Sequence, residues 1–148
     1  MKKKVTALLA GLMLTASAFC VASVSSDSIA IDGVAPGSTL ESARAKLGTP
    51  DAVAGDKIYF PNGIVIDVAD HNPNLVEEIE THSAGATPGG VTVGMSEAVL
   101  SDVYGRADKV DRDYDDTEYV YYSSDYSKKM EFKVVNGTIV KIKCELRD

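Results

Sequence analysis

A degenerate internal repeat is the feature that most limits how this chain can fold. GVAPGSTLESARAKLGTPDAV at residues 33–53 recurs in altered form as GVTVGMSEAVLSDVYGRADKV at residues 90–110. The glycines and several other residues stand at matching positions: Gly33, Val34, Gly37, Gly48, Asp51 and Val53 align with Gly90, Val91, Gly94, Gly105, Asp108 and Val110. A chain of 148 residues accommodates one domain or two very small ones. The repeat therefore indicates two copies of one structural unit, each too small to bury a sufficient core alone.

Each copy begins with a glycine-rich turn and continues into a short predicted helix. Ser38 or Thr39 is placed to cap the first helix, because a side-chain hydroxyl accepts a hydrogen bond from a free backbone N–H. Gly48 follows the last apolar residue of that helix and ends it. In the second copy, Ser96 takes the capping position and Gly105 ends the helix. The glycines are interpreted as turn residues, since no lysine follows them with the spacing of a phosphate-binding loop.

Three strand-like segments follow each predicted helix. They are KIYF, GIVIDVA and LVEEIETH in the first copy, and EYVYY, KMEFKVV and TIVKIKCEL in the second. The pair Asn136-Gly137 predicts a tight hairpin turn between the last two strands. We therefore expect an α+β fold of two helix-plus-antiparallel-meander repeats, with the helices packed on one face of the sheet. The first repeat spans residues 28–82, the linker residues 83–89 and the second repeat residues 90–148.

Residues 1–22 have the pattern of a secretory signal peptide. Three lysines precede an apolar run from Val5 to Leu14, and small residues follow at a candidate cleavage site. The alternative is a retained membrane anchor, since the uncharged stretch is long enough to span a bilayer. Lipid attachment at Cys20 is disfavoured by the large Phe19 directly before it. We expect an extracytoplasmic protein, periplasmic or secreted, with no integral membrane span after cleavage.

The net charge restricts the classes of partner. The chain carries a formal charge of −7 at pH 7, and cleavage after residue 22 would remove Lys2, Lys3 and Lys4 and make it more negative. Nucleic acid and anionic membrane surfaces are therefore not expected partners, because both require a basic patch. Cleavage would also leave Cys144 as the one remaining cysteine. Strand alternation places Cys144 beside Ile142 on the apolar face, which predicts a structural role.

No constellation of catalytic residues is evident. The two histidines, His71 and His82, both lie in the first copy, and neither has a serine or cysteine partner in a recognisable arrangement. We therefore predict no enzymatic activity, no catalytic residues, no cofactor and no metal ligands.

One acidic segment resembles the start of a calcium-binding loop. Asp111, Asp113 and Asp115 alternate along the chain, as calcium ligands do in an EF-hand. An EF-hand requires glycine at its sixth position and glutamate at its twelfth, whereas this chain has Asp116 and Tyr122. A solvated acidic loop is the favoured interpretation, and a calcium-dependent binding module is kept as an alternative.

Tyrosines are concentrated in one short region. Five of the seven tyrosines lie between residues 114 and 126. Tyrosine combines a large rigid ring with a polar tip, which suits protein interfaces. We predict a binding surface that includes Tyr114, Tyr119, Tyr121 and Tyr126. The alternative is that some of these rings pack beneath the helix.

Charged residues of opposite sign occupy matching outward positions in the two copies. They are Asp67, Glu78 and Glu80 in the first copy, and Lys133, Lys141 and Lys143 in the second. In a continuous sheet these residues would give an outward face that is half acidic and half basic. Such a face can steer a polar protein partner or associate with a second copy of the chain. Ordinary solubilising charge is the alternative. On the binding interpretation, reversing Lys141 and Lys143 to glutamate weakens binding with little effect on stability.

The repeated motif G-V-x-x-G-(S/M)-(S/T)-x-x-x-(V/A)-x-x-x-(L/Y)-G-x-(P/A)-D, the aromatic strands and the final NGTIVKI resemble the BamE/SmpA-type superfamily. That superfamily includes an outer-membrane assembly lipoprotein and tandem-repeat relatives of the β-lactamase inhibitory protein. The resemblance implies a small α+β domain that binds proteins and does not catalyse a reaction.

Residues and resemblance together predict a non-catalytic, extracytoplasmic protein-binding module that acts in assembly or scaffolding of the cell envelope. The expected partner is a protein of the envelope or the medium, and a second copy of the chain is a further candidate. A secreted enzyme inhibitor of the β-lactamase-inhibitor type and a calcium-dependent binding module are the alternatives.

Overall fold

The structure is a computed structural model, and it describes residues 23–147. The predicted signal peptide at residues 1–22, with Cys20, lies outside the described residues. A 3-10 turn at Ser26–Ser28 precedes the first helix. The first half contains α1 (Leu40–Leu47), β1 (Ala52–Ala54), β2 (Lys57–Tyr59), β3 (Ile64–Ala69) and β4 (Asn72–Thr81). The second half contains α2 (Ala98–Tyr104), β5 (Lys109–Arg112), β6 (Thr117–Tyr122), β7 (Lys128–Val135) and β8 (Thr138–Leu146).

All eight strands form one antiparallel sheet. Its strand order is β1-β2-β3-β4-β8-β7-β6-β5, so the last strand of each half lies at the centre. The register of β4 on β8 runs from Glu78 opposite Glu145 to Thr81 opposite Ile142. This pairing, called the central join below, makes the two halves one hydrogen-bonded sheet.

The expected α+β fold of two helix-plus-antiparallel-meander repeats is wrong. The structure is dominated by its eight-stranded sheet, and the two helices have only eight and seven residues. The sequence pattern missed β1 and β5, because both strands are exposed along their whole length and lack apolar alternation. Helices this short supply little of the core, so the continuous sheet determines the architecture.

One hydrophobic core covers one face of the sheet and draws on both halves of the chain. Leu40 and Ala43 of α1, and Leu100 and Tyr104 of α2, belong to it. The sheet contributes apolar residues that alternate along the strands except at bulges: Ile58, Ile64, Ile66, Val68, Val76, Ile79, Tyr121, Met130, Phe132, Val134, Ile139, Ile142 and Cys144. The predicted position of Cys144 on the apolar face is confirmed, since its side chain is fully buried.

An aromatic cluster fastens α2 to the sheet. The ring of Tyr104 lies 5.5 Å from that of Tyr121 and 5.7 Å from that of Phe132, measured between centroids. The hydroxyl of Tyr104 is 2.5 Å from Oγ1 of Thr87, a buried residue of the segment between β4 and α2. Residues 83–89 are thus packed against the fold through Thr87.

The turn chemistry follows the sequence closely. Thr39 caps α1, because its Oγ1 accepts a hydrogen bond from the N–H of Ser42 at 3.1 Å. Gly48 and Gly105 end the two helices with φ angles of 88° and 74°, a region that favours glycine. Asn136 has a φ of 50° and Gly137 one of 75°, which confirms the predicted hairpin turn.

The start of α2 differs from the prediction. Glu97, not Ser96, directly precedes the helix, and its side chain makes no capping hydrogen bond. Ser96 still accepts a hydrogen bond from the N–H of Ala98 at 3.3 Å. The Glu97 carboxylate is engaged elsewhere, since Tyr119 donates a hydrogen bond to it. Across residues 23–147, neither helix has the length and apolar character needed to cross a membrane.

Candidate protein-binding surface

The face of the sheet opposite the core carries charged residues in cross-strand rows. One row follows the register of six neighbouring strands: Lys57, Asp67, Glu78, Glu145, Lys129 and Tyr122. A second row contains Glu80, Lys143 and Glu131 on β4, β8 and β7. Because side chains directly opposite each other in a sheet interact strongly, these rows determine which charges meet.

Ion pairs neutralise most of the charge on this face, one of them across the central join and others within the second half. Lys141 Nζ lies 2.5 Å from a carboxylate oxygen of Glu80. Lys143 Nζ lies 2.8 Å from Glu145 and 2.9 Å from Glu131. The paired side chains are only 12–27% exposed, because each covers its neighbours. The face therefore presents a network of ion pairs and not one acidic and one basic patch.

The pKa values of the join reflect this pairing. Burial acts to lower the pKa of Lys143, but hydrogen bonds to Glu145 and Glu131 outweigh it and raise the pKa well above its ordinary value. Burial acts to raise the pKa of Glu80, but the hydrogen bond and charge of Lys141 outweigh it and lower the pKa. Both residues therefore carry their charges at neutral pH.

The other predicted charged residues are also paired. Lys133 Nζ lies 2.6 Å from a carboxylate oxygen of Asp116, and Lys57 Nζ lies 2.5 Å from one of Asp67. The expectation that reversing Lys141 and Lys143 leaves stability nearly unchanged is therefore revised. A glutamate in place of Lys143 would face carboxylates on both neighbouring strands, which is destabilising.

Two of the four predicted binding tyrosines belong to the core side of the sheet. Tyr121 is 2% exposed, and its hydroxyl donates a hydrogen bond to the backbone oxygen of Gly105 at 3.2 Å. Burial raises the pKa of Tyr121 to about 12. Tyr119 packs against the core, and its hydroxyl donates to Glu97 Oε2 at 2.6 Å. For Tyr119 and Tyr121, the alternative stated above, that these rings pack on the core side beneath the helix, is the one observed.

The other two tyrosines are exposed but lie apart. Tyr114 is 102% exposed in the turn between β5 and β6, and Tyr126 is 65% exposed in the turn between β6 and β7. The two turns lie at opposite ends of β6. The structure therefore does not bring the four predicted tyrosines to one surface.

Tyr126 belongs to a different cluster, which we call the Tyr–Arg cluster: Tyr122, Tyr126 and Arg147. The guanidinium carbon of Arg147 lies 4.3 Å from the ring centroid of Tyr122 and 5.5 Å from that of Tyr126. The two ring centroids are 6.2 Å apart. Arg147 Nη1 also donates a hydrogen bond to the backbone oxygen of Tyr126 at 3.3 Å. These are stacking and cation–π distances.

The sequence interpretation missed Arg147. Counting back from the Asn136-Gly137 turn in a regular hairpin would place Lys128 opposite Glu145, but a register shift between Lys133 and Val134 places it opposite Leu146. Arg147 therefore falls opposite Ser127, whose backbone oxygen accepts a hydrogen bond from the Arg147 N–H at 2.9 Å. The turn alone does not predict this shift, so it does not predict the place of Arg147.

Hydrogen bonds hold the turn that presents Tyr126. Oδ1 of Asp125 accepts hydrogen bonds from Ser123 Oγ at 2.6 Å, from Ser127 Oγ at 2.8 Å and from the Ser127 N–H at 3.0 Å. The hydrogen bonds from Ser123 and Ser127 lower the pKa of Asp125 to about 2. The N–H of Ser124 also donates to the backbone oxygen of Val24 at 2.8 Å.

Tyr126 itself has a φ of 58°, in the left-handed region. Bulky residues rarely adopt this conformation, and strained backbone of this kind is found preferentially at functional sites. The surrounding hydrogen bonds maintain this backbone conformation, and the ring of Tyr126 is left exposed.

Cys144 and the acidic segment of residues 111–116 lie outside the Tyr–Arg cluster. Burial raises the pKa of the Cys144 thiol far above its ordinary value, so the thiol is neutral. Asp111 pairs with Lys109 at 2.5 Å and Asp116 with Lys133, so two carboxylates of the calcium-like segment are already engaged. Within residues 23–147, no group of three or more His, Cys, Asp or Glu side chains is arranged to hold a metal ion.

Comparisons with known proteins find a similar fold but no family. No family model matches the chain, and no match is found among curated proteins. The structure is similar to the crystal structure of a DUF4309 family protein (YjgB) from Bacillus subtilis subsp. subtilis str. 168. The two are 19% identical with a TM-score of 0.51, and the match covers 74% of this chain and 78% of the other. At this identity the likeness is one of fold alone, and the resemblance to the BamE/SmpA superfamily stays a prediction.

Proposed function

We propose that this chain is an extracytoplasmic protein-binding module that contacts its partner through the Tyr–Arg cluster. The proposal rests on the conformation of Tyr126. Its ring is exposed and lies near Arg147, and a hydrogen-bonded turn holds its backbone at a left-handed φ. The left-handed residue closes the turn, because the Tyr126 N–H donates a hydrogen bond to the backbone oxygen of Ser123 at 2.8 Å, and the ring that it carries is left exposed.

The composition of the cluster supports a protein partner. Tyrosine and arginine are enriched among the residues that dominate binding energies at protein interfaces. Stacking on Tyr122 orients the Arg147 guanidinium and leaves its edge available to an incoming acceptor. A turn that is already ordered also lowers the entropy lost when a complex forms.

The charged face has a secondary role in this proposal. Lys141, Lys143, Glu80, Glu131 and Glu145 are engaged in ion pairs with each other, so they contribute little free charge for binding. The row that contains Lys129 and Glu145 ends at Tyr122, so the network borders the Tyr–Arg cluster. The network would form a polar rim that affects specificity and the rate of association.

The signal-peptide pattern of residues 1–22 supports export, and a binding module without catalytic activity is compatible with envelope assembly or scaffolding. The identity of the partner distinguishes the roles: a subunit of an envelope assembly supports scaffolding, whereas an enzyme supports an inhibitor.

Quantitative affinity capture tests the proposal. Purified protein beginning at Ser23 serves as bait in native envelope extract and culture medium, in the wild-type form and as Tyr126→Ala. We expect one dominant partner, captured at least about tenfold less by the variant, since hot-spot truncations cost about 2 kcal/mol or more.

Tyr114→Ala is the matched control, because it removes an equally accessible tyrosine from a turn at the other end of β6. It should leave capture unchanged. Equal loss in both variants, or no loss in either, would contradict the assignment of the Tyr–Arg cluster. Circular dichroism of both variants establishes that each remains folded.

A further inference from the structure

Three carboxylates lie in direct register across the centre of the sheet. Asp67 on β3 is opposite Glu78 on β4, and Glu78 is opposite Glu145 on β8. Side chains at such positions have Cβ atoms about 5 Å apart, and like charges there repel. The pair formed by Glu78 and Glu145 spans the central join, where the two halves of the chain meet.

The three carboxylates of this row differ in how closely lysines approach them. Asp67 has Lys57 at 2.5 Å, and Glu145 has Lys129 at 2.5 Å and Lys143 at 2.8 Å. Glu78 has only a longer contact of 3.7 Å to Lys143. Of the other charged groups nearby, Glu80 on β4 is paired with Lys141 and lies 3.6 Å from His82, and Glu131 on β7 competes for Lys143. Glu77 on β4 adds a further carboxylate to the same cavity wall.

The surroundings of Glu78 disfavour a further negative charge there. Oδ1 of Asp67 is buried and has no hydrogen-bond partner among the described residues. A cavity of about 180 Å³ is lined by Asp67, Glu77, Glu78, Glu145 and Leu146, with acidic side chains around most of its wall. A second full negative charge on the Glu78–Glu145 pair would therefore be poorly solvated and poorly paired.

We propose that Glu78 and Glu145 share one proton across the central join, and that loss of this proton weakens the join. The shared proton turns a repulsive contact into a hydrogen bond between a carboxylic acid and a carboxylate. The device is independent of the proposed binding function, because it acts on the stability of the sheet.

The pKa values of Glu78 and Glu145 support the shared proton. Burial, and then the hydrogen bond with Glu145, raise the pKa of Glu78 to about 7. Burial of Glu145 acts in the same direction, but hydrogen bonds from Lys129 and Lys143 prevail and lower its pKa to about 2. On this proposal the two carboxyls titrate as one unit and hold a single proton between these values.

The sign of the pH effect follows from linkage. In the unfolded chain both carboxyls would titrate near 4.5. Between pH 4.5 and about 7 the folded pair keeps a proton that the unfolded chain has released, so the contribution of the pair falls as the pH rises. Between about pH 2 and 4.5 the unfolded chain holds the extra proton, so the contribution falls as the pH is lowered.

Thermal unfolding of Glu78→Gln from pH 5 to pH 8.5 tests the proposal. The amide keeps a hydrogen-bond donor toward Glu145 without needing a proton. We expect the melting temperature of the variant relative to wild type to rise by about 5 °C between pH 5 and pH 8.5.

Glu77→Gln is the matched control, because it removes the same charge from the same cavity wall but lies at a bulge, outside the register with β8. Its difference from wild type should not change with pH. The same pH-dependent gain in Glu77→Gln would overturn the proposal, since it would show general relief of acidic repulsion.

Carbon-13 NMR titration of the side-chain carboxyls in the wild-type protein gives a second readout that needs no variant. We expect one glutamate, assigned to Glu78, to titrate with a midpoint near 7. Midpoints below 5 for both Glu78 and Glu145 would overturn the shared proton.

Discussion

Replacing Tyr121 with alanine should lower the free energy of unfolding by roughly 4 kcal/mol. The ring is 2% exposed and contacts the rings of Tyr104 and Phe132, at centroid distances of 5.5 and 6.0 Å. A buried aromatic side chain removes about 200 Å² from water, which at about 25 cal/mol per Å² gives an upper value near 5 kcal/mol. Residual burial in the unfolded chain reduces this figure, and the lost hydrogen bond to Gly105 adds about 1 kcal/mol.

Urea unfolding followed by circular dichroism measures this loss, provided that the dependence of stability on urea concentration stays the same in all variants. Tyr121→Phe removes the hydroxyl alone and should cost about 1 kcal/mol. Tyr114→Ala is the control, because it makes the matching truncation at a fully exposed site and should stay within about 0.5 kcal/mol of wild type.

The division of the tyrosines between core and surface would be refuted by two results. One is a loss below about 1 kcal/mol for Tyr121→Ala, which would mean that the ring is not buried among aromatic neighbours. The other is an equal loss for Tyr114→Ala.

Three further outcomes follow from the contacts described above. Lys143→Glu should lower stability in urea unfolding by about 2 kcal/mol, whereas Lys143→Met should cost less, because it adds no charge beside Glu145 and Glu131. Cys144 should resist alkylation in the native protein and react fully in urea, as mass spectrometry will show, since its thiol is buried and neutral. Asp125→Ala should accelerate amide hydrogen exchange in residues 123–127, because the carboxylate that orders this turn is lost.

Local chemistry made parts of the fold predictable from sequence. The Asn136-Gly137 turn, the end of α1 at Gly48 and the burial of Cys144 each follow from a rule that acts over a few residues. The same rules do not detect β1 or β5. Those strands have no buried face and are formed by backbone pairing with β2 and β6, which depends on the rest of the sheet.

The candidate site was predictable only in part, because it depends on which strands become neighbours. Alternation along β6 separates Tyr121 from Tyr122 but does not say which face meets the core. The ion pair between Lys141 and Glu80 requires β4 beside β8, a long-range pairing that no local pattern specifies. Arg147 joins Tyr126 through the register of the β7–β8 hairpin, which the turn alone does not determine, because the register shifts by one residue between Lys133 and Val134.

Site-specific photocrosslinking tests the binding proposal most directly. A photoreactive phenylalanine analogue is placed at position 126 in one form of the protein and at position 114 in another, and both are irradiated in native envelope extract and culture medium. We expect one discrete adduct from position 126, diminished by Arg147→Ala, and no matching adduct from position 114. Adducts of equal yield from both positions, or a discrete adduct from position 114 alone, would contradict a binding surface at the Tyr–Arg cluster.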